Sequence, residues 1–222
     1  MGLGRNISTQ PLASCLFDLL PKDILCIFVY NPIIHRILSL FELSKNKKHL
    51  TDNLKSNKMY YILIRKACVE DIPEIVAIYE AAKAFMHSSG NMTQWVNGYP
   101  GIKEIKRDIE DGCLYVCVDN EGDIVCVFAF IVGDDLTYAE IDGAWLNDEP
   151  YGTIHRIASS GKRGGMVAKC VEFCLGAVDN VRIDTHRDNT PMLRALKRIG
   201  FKRCGVIICA DGTPREAFQF CK

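Results

Sequence analysis

The run IASSGKRGGMVAKCVEFC, residues 157–174, carries the chain from a strand into a helix and sets the architecture around it. Its first residues close the strand GTIHRIAS (152–159), in which the β-branched Thr153, Ile154 and Ile157 favour extended backbone. Its last residues place Met166, Cys170, Phe173 and Cys174 on one face of a helix at i, i+4, i+7, i+8. Between them stand Ser160, Gly161, Gly164 and Gly165. The first N–H groups of a helix have no intrahelical partner and point outward at an anion, and glycines let phosphate oxygens approach the backbone. Lys162 and Arg163 add positive charge suited to a ligand with several phosphates. SGKRGG lacks the first glycine of G-x-x-x-x-G-K-[ST] and is not G-x-G-x-x-G, so neither nucleotide-loop pattern is present.

Downstream, VRIDTH (181–186) reads as a second strand, parallel to the first and joined to it by a right-handed crossover through the 165–175 helix. The next helix carries Met192, Ala195, Leu196 and Ile199 on one face and stops at Gly200, and FKRCGVIICADG with REAFQF forms a closing hairpin. Upstream, YYILIRKA (60–67) is a strand. Asp71, Pro73 and Glu74 start a helix running to about Phe85, and 101–112 is a second, more solvated helix ending at Gly112. CLYVCVD and DIVCVFAFIVG flank Asn120-Glu121-Gly122, a hairpin turn. An irregular stretch fills 134–151. The order gives an α+β domain with a mixed sheet and helices packed on its faces.

The 222 residues hold 27 Lys+Arg against 27 Asp+Glu and are 48% hydrophobic, which excludes collagen-like, low-complexity and wholly disordered chains. Zero formal charge leaves no global field for nucleic acid or an anionic membrane, so no nucleic-acid partner is expected. None of the eleven cysteines are spaced C-x-x-C; they read as reduced, buried thiols of a cytoplasmic protein, with no metal site expected.

Residues 1–58 form an N-terminal extension with eight Lys/Arg and four Asp/Glu, against a domain over 59–222. The longest uncharged run in its apolar stretch (11–43), Ile24–Ile34, is too short for the roughly 20 residues of a spanning helix, and Pro21 and Pro32 break up any signal-like block. Ile34, Ile37, Leu38 and Phe41 make an apolar stripe that reads either as a surface for a bilayer or partner or as a loosely packed extension. Met59 is an alternative start for a complete domain.

Over residues 59–222 the chain resembles the GNAT superfamily of acyl-CoA-dependent N-acyltransferases. The [RQ]-x-x-G-x-[GA] loop of that family aligns best with Lys162, Gly165 and Val167, and its helix-start Asn and closing Gly-Phe with Asn189, Gly200 and Phe201. The resemblance implies a mixed, mostly antiparallel sheet with helices on both faces and a splayed pair of central parallel strands. It also implies that acetyl-CoA, the acyl donor, lies between strands 152–159 and 181–186. Its pantetheine amides would pair with Ile157, Ala158 and Ser159. The pyrophosphate would rest on the N–H groups of Lys162, Arg163, Gly164, Gly165, Met166 and Val167, and Asn189 would be a further contact. The acyl oxygen would face the Ile157 N–H. Two positions depart from the family: Val167 stands where Gly or Ala is preferred, and Leu196 where many members carry a Tyr. A thiol with pKa about 8.5 leaves readily without that acid.

An attacking amine must lose a proton. His155, two residues before Ile157 and so on its face in a regular strand, reads as the base or as a hydrogen-bonded structural histidine. Glu140 and Asp142 are rival bases acting through water, or solvated loop carboxylates. Trp145 and Tyr151 read as walls of an acceptor pocket or as core. Arg156 faces away from His155 unless a bulge turns it toward a substrate carboxylate. Asp184 and His186 share one face of VRIDTH and either shape the acceptor site or cap the following helix. Together these features give an acetyl-CoA-dependent N-acetyltransferase acting by direct attack on a small amine or amino-acid derivative. A non-catalytic acyl-CoA-binding regulatory module and a membrane-associated accessory protein are the competing classes. Monomer and homodimer stay open.

Overall fold

The structure, a computed structural model, describes residues 61–222. The apolar stripe, the basic tether and the domain boundary at Met59 lie outside the described residues. Eight strands form one sheet: β1 (Ile62–Lys66), β2 (Leu114–Asp119), β3 (Ile124–Val132), β4 (Asp142–Gly143), β5 (Gly152–Ser159), β6 (Asn180–Thr185), β7 (Lys202–Ile208) and β8 (Pro214–Cys221). Their order is β1-β2-β3-β5-β6-β8-β7-β4, antiparallel throughout except for the β5–β6 pair. Among the described residues, four α-helices accompany them: α1 (Ile72–Ser88), α2 (Ile102–Glu110), α3 (Met166–Cys174) and α4 (Thr190–Ile199).

The helices cover the two faces of the sheet in pairs. Ile75, Ile78 and Tyr79 of α1 and Ile105 of α2 share one core with Leu114, Val116, Val127 and Ala129. Met166, Cys170 and Cys174 of α3 and Leu196 of α4 share the other with Phe128, Phe130, Ile154 and Ile183. Strand β3 is sandwiched between them, which accounts for its unbroken apolar run from Ile124 to Phe130 where a one-faced strand would alternate.

Two irregularities open the middle of the sheet. The parallel ladder joins Gly152 to Val181, Thr153 to Arg182 and Ile154 to Ile183, then stops while β5 runs on to Ser159. On the other edge of β5, Ala129 faces His155 but Val127 faces Ala158, so Arg156 and Ile157 together oppose a single residue of β3. This is a bulge, and Arg156 adopts the left-handed region at φ 50° to make it. The two-residue alternation expected to carry His155 and Ile157 on one face is broken there.

Other local expectations shift for identifiable reasons. Asp71 does not cap α1: its carboxylate accepts from Arg65 at 2.7 and 2.8 Å and from the Cys68 N–H at 2.8 Å, and a 3-10 turn (Val69–Asp71) precedes the helix. Glu74 instead accepts from the Ile124 N–H across the sheet at 3.0 Å. The stretch 134–151, expected to be irregular, holds a 3-10 turn (Leu136–Tyr138) and the two-residue strand β4. Gly143 of β4 pairs with Gly205 of β7, and a Cβ on either would collide with the other strand's backbone.

Candidate functional site

A cavity of about 1140 Å³ opens where β5 and β6 part. One end is made by Ile157, Ala158 and Ser159 of β5, the loop at Gly161, and Met166 and Val167 of α3, with Asn189, Met192 and Ala195 of α4 opposite. Past Ile154 the β6-facing edge of β5 has no strand partner, so its amides and carbonyls are available to a ligand that runs alongside. Gly165 stands at the N-cap of α3 with φ 76°, a conformation that glycine adopts without steric cost. No atom lies within 4 Å of a Cβ built at Gly161, Gly164 or Gly165, so the loop is open for an anion to reach its backbone. Val167 lines the cavity without closing it.

Lys162 and Arg163 do not stand as free charge at this loop. Lys162 Nζ lies 2.7 Å from Asp123, and Arg163 donates to Asp119 from Nη2 at 2.7 Å and from Nε at 3.0 Å. Both acids belong to the β2–β3 hairpin, and the Asp119 side chain is fully buried. The cradle is therefore built from main chain and helix end, with its cations already paired.

The other end is polar. His155 Nε2 lies 2.7 Å from Asp135 Oδ2, and His155 and Asp184 both line the cavity. Asp135 is fixed in turn: its Oδ1 accepts from the Thr137 N–H at 2.9 Å, and its own N–H donates to the Tyr151 hydroxyl at 3.0 Å. Hydrogen bonding to His155 holds the Asp135 carboxyl down at about 2, so it is an acceptor only. The proton of a neutral His155 is thus assigned to Nε2, leaving the lone pair on Nδ1. Nδ1 lies 4.0 Å from Asp184 Oδ1, which accepts from the buried Tyr138 hydroxyl at 2.7 Å. This is the arrangement of a base held by an orienting carboxylate.

The bulge turns Arg156 into the cavity wall, where Nε donates to Asp108 at 2.8 Å and Nη1 to the Tyr99 hydroxyl at 3.3 Å. Trp95 and Phe85 continue that wall, and Cys209, Asp211 and Arg215 supply another. Burial pushes the Cys209 thiol up to about 12, which leaves it a poor nucleophile.

Several expected site residues lie elsewhere. Glu140 and Asp142 are solvent-exposed and away from the cavity; Asp142 is on β4, at the far edge of the sheet. Trp145 and Tyr151 do not wall the pocket: the Arg182 guanidinium lies 4.1 Å from the first ring and 3.7 Å from the second. His186 is drawn into the turn before α4, with Nδ1 accepting from the Asp188 N–H at 3.2 Å and Nε2 3.1 Å from Thr93 Oγ1. Asn189 caps α4 by accepting from the Met192 N–H, and it also lines the cavity. Leu196 is buried in the core, while its neighbour Ala195 faces the cavity.

No protein-family model and no curated protein matches the chain. Among solved structures, a GNAT-family acetyltransferase from Streptococcus agalactiae 2603 is 32% identical, with a TM-score of 0.65, over 72% of this chain and 95% of its own. A GNAT-family acetyltransferase from Listeria monocytogenes 4b F2365 has the same fold at 19% identity, with a TM-score of 0.55 and the same coverage of 72% and 95%. The mixed sheet with its β5–β6 parallel pair fits the fold of these structures, and with about a third of the aligned sequence identical to the Streptococcus enzyme, this chain belongs to the GNAT family of acetyltransferases.

Proposed function

We propose that the protein moves the acetyl group of acetyl-CoA directly to the primary amine of a small molecule or amino-acid derivative. The observation that carries this reading is the His155–Asp135 pair, set in the cavity where β5 and β6 separate. The donor lies along the free edge of β5, with amide contacts to Ile157, Ala158 and Ser159 and its diphosphate over the loop at Gly164 and Gly165 and the first turn of α3. Asn189 adds a side-chain contact. The thioester carbonyl then reaches the bulge, where the Ile157 N–H receives the developing oxyanion.

His155 Nδ1 takes the proton that the amine must lose as its nitrogen bonds to the carbonyl carbon. Asp135 keeps the ring in the required tautomer and stabilises the imidazolium. The C–S bond breaks as the carbonyl re-forms, and the departing sulfur, with a thiol pKa of about 8.5, takes up a proton near neutrality. Arg156, steadied by Asp108 and Tyr99, offers a cation against which an acceptor carboxylate docks, and Asp184 faces the amine. With Cys209 held as a thiol, the direct route is favoured over an acyl-cysteine intermediate.

Release of free thiol from acetyl-CoA, followed across amino acids, simple amines and a short peptide, tests the reading. Turnover with a carboxylate-bearing small amine is expected, greatly reduced in H155A. Turnover with the peptide alone would overturn the choice of acceptor.

A further inference from the structure

Outside the cavity's polar end, the fold assembles three side chains that no local spacing brings together. Cys117 of β2 and Cys126 of β3 are cross-strand partners beside a β-bulge, and Cys170 of α3 rests on both. Cys117 and Cys170 Sγ are 3.7 Å apart, Cys126 and Cys170 Sγ are 3.8 Å apart, and all three sulfurs lie within 4.8 Å of one another. Each residue is fully buried, in a core that also holds Val125, Phe128, Met166 and Val171. Ligands at about 2.3 Å from one centre stand about 3.3–3.8 Å apart for bond angles between a right angle and tetrahedral, so a single atom can bond all three sulfurs once the triangle contracts by up to about 1 Å.

We propose that Cys117, Cys126 and Cys170 form a three-thiolate site for a trivalent, thiophilic metalloid of the arsenite class. Charge selects the valence. Three thiolates leave a net −1 around a divalent ion and −2 around a monovalent one, and an uncompensated charge in an apolar core is strongly disfavoured. Around a trivalent centre the product is neutral. Coordination number agrees: a trivalent metalloid keeps a lone pair and needs three ligands, whereas structural zinc takes four. Cys174, the next cysteine on α3, lies outside the triangle.

The exchange balances without an oxidant. For each ligand an S–H bond and an As–O bond break, an As–S bond forms, and the thiol proton leaves with the hydroxide as water. Three waters are released and arsenic stays trivalent. Arsenous acid is neutral at pH 7, and Cys126 contributes to the cavity lining, which gives a path inward without burying charge.

The test adds sodium arsenite at pH 7 to the full chain, kept reduced with a phosphine. Uptake is read by native mass spectrometry and the arsenic environment by X-ray absorption. One arsenic per chain with loss of three hydrogens, a shell of three sulfurs, and at least tenfold weaker uptake in C126A and in C170A are expected, with C68A, at an exposed thiol, unchanged. Circular dichroism confirms that each variant is folded, and C117A takes the place of either one that is not. No uptake, arsenic–oxygen bonds in the bound form, uptake lost only in C68A, or zinc bound more tightly than arsenite would each overturn the proposal.

Discussion

Replacing Asp135 with Asn changes one atom beside His155 and should abolish most of the base function. In the native site Oδ1 accepts from the Thr137 N–H at 2.9 Å and Oδ2 faces His155 Nε2 at 2.7 Å. An Asn that keeps the Thr137 contact turns its NH₂ toward Nε2 and must donate there, so Nε2 becomes the acceptor and the proton moves to Nδ1. Nδ1 can then no longer take a proton from an amine. General-base catalysis is worth about 10²–10⁴-fold, and D135N should lose that factor in kcat, as H155A should. Asp135 is remote from the Gly165 loop, so affinity for CoA should hold within about twofold. The exchange of a charge-assisted hydrogen bond for a neutral one costs about 1 kcal/mol of stability, leaving the variant folded. Steady-state thiol release gives kcat, and calorimetry with CoA gives the affinity. A D135N enzyme with kcat within threefold of the parent would refute the assignment of His155 as an oriented base.

Three further outcomes are expected. Gly165→Val, at φ 76°, should cost about 1–2 kcal/mol and weaken CoA binding at least tenfold, seen in calorimetry, with a smaller effect for Gly161→Ala. Leu196→Ala, at a fully buried core position, should lower stability by about 2–5 kcal/mol in urea unfolding. The Asp135 carboxyl lies lower in the folded chain, at about 2, than in the unfolded one, so its contribution to stability is complete above about pH 4 and disappears as pH falls toward 2. The difference in stability between the parent and D135N should shrink over that acid range in denaturant titrations.

The strand-loop-helix at 152–174 was legible because both periods and the glycine cluster are local properties, and the two-strand crossover followed from chain order. His155 could be named for the same reason: it sits in the strand that lines the gap. Asp135 could not, because its role arises from a 3-10 turn twenty residues away that the polar run 134–142 does not advertise. Trp95, Tyr99 and Arg215 reach the cavity from distant elements, and only the sheet order brings them there. Of the two readings open for Trp145 and Tyr151, the core one fits: they pack with Tyr138 and Ile207 around Arg182, a contact that a strand residue such as Arg182 does not advertise in sequence. The bulge at Arg156 leaves no mark in IHRIAS, yet it decides which way that guanidinium points.

The engagement of Lys162 with Asp123 and of Arg163 with Asp119 has a consequence for how the donor is held. Recognition that relies on amide dipoles rather than mobile cations is short in range, so added electrolyte should alter CoA affinity only weakly. Neutralising the hairpin's acidic partner, as in D123N, would release the Lys162 ammonium to the diphosphate and make binding tighter and newly sensitive to ionic strength. On the proposed mode of donor binding, the β2–β3 turn would then tune how strongly the spent carrier is retained.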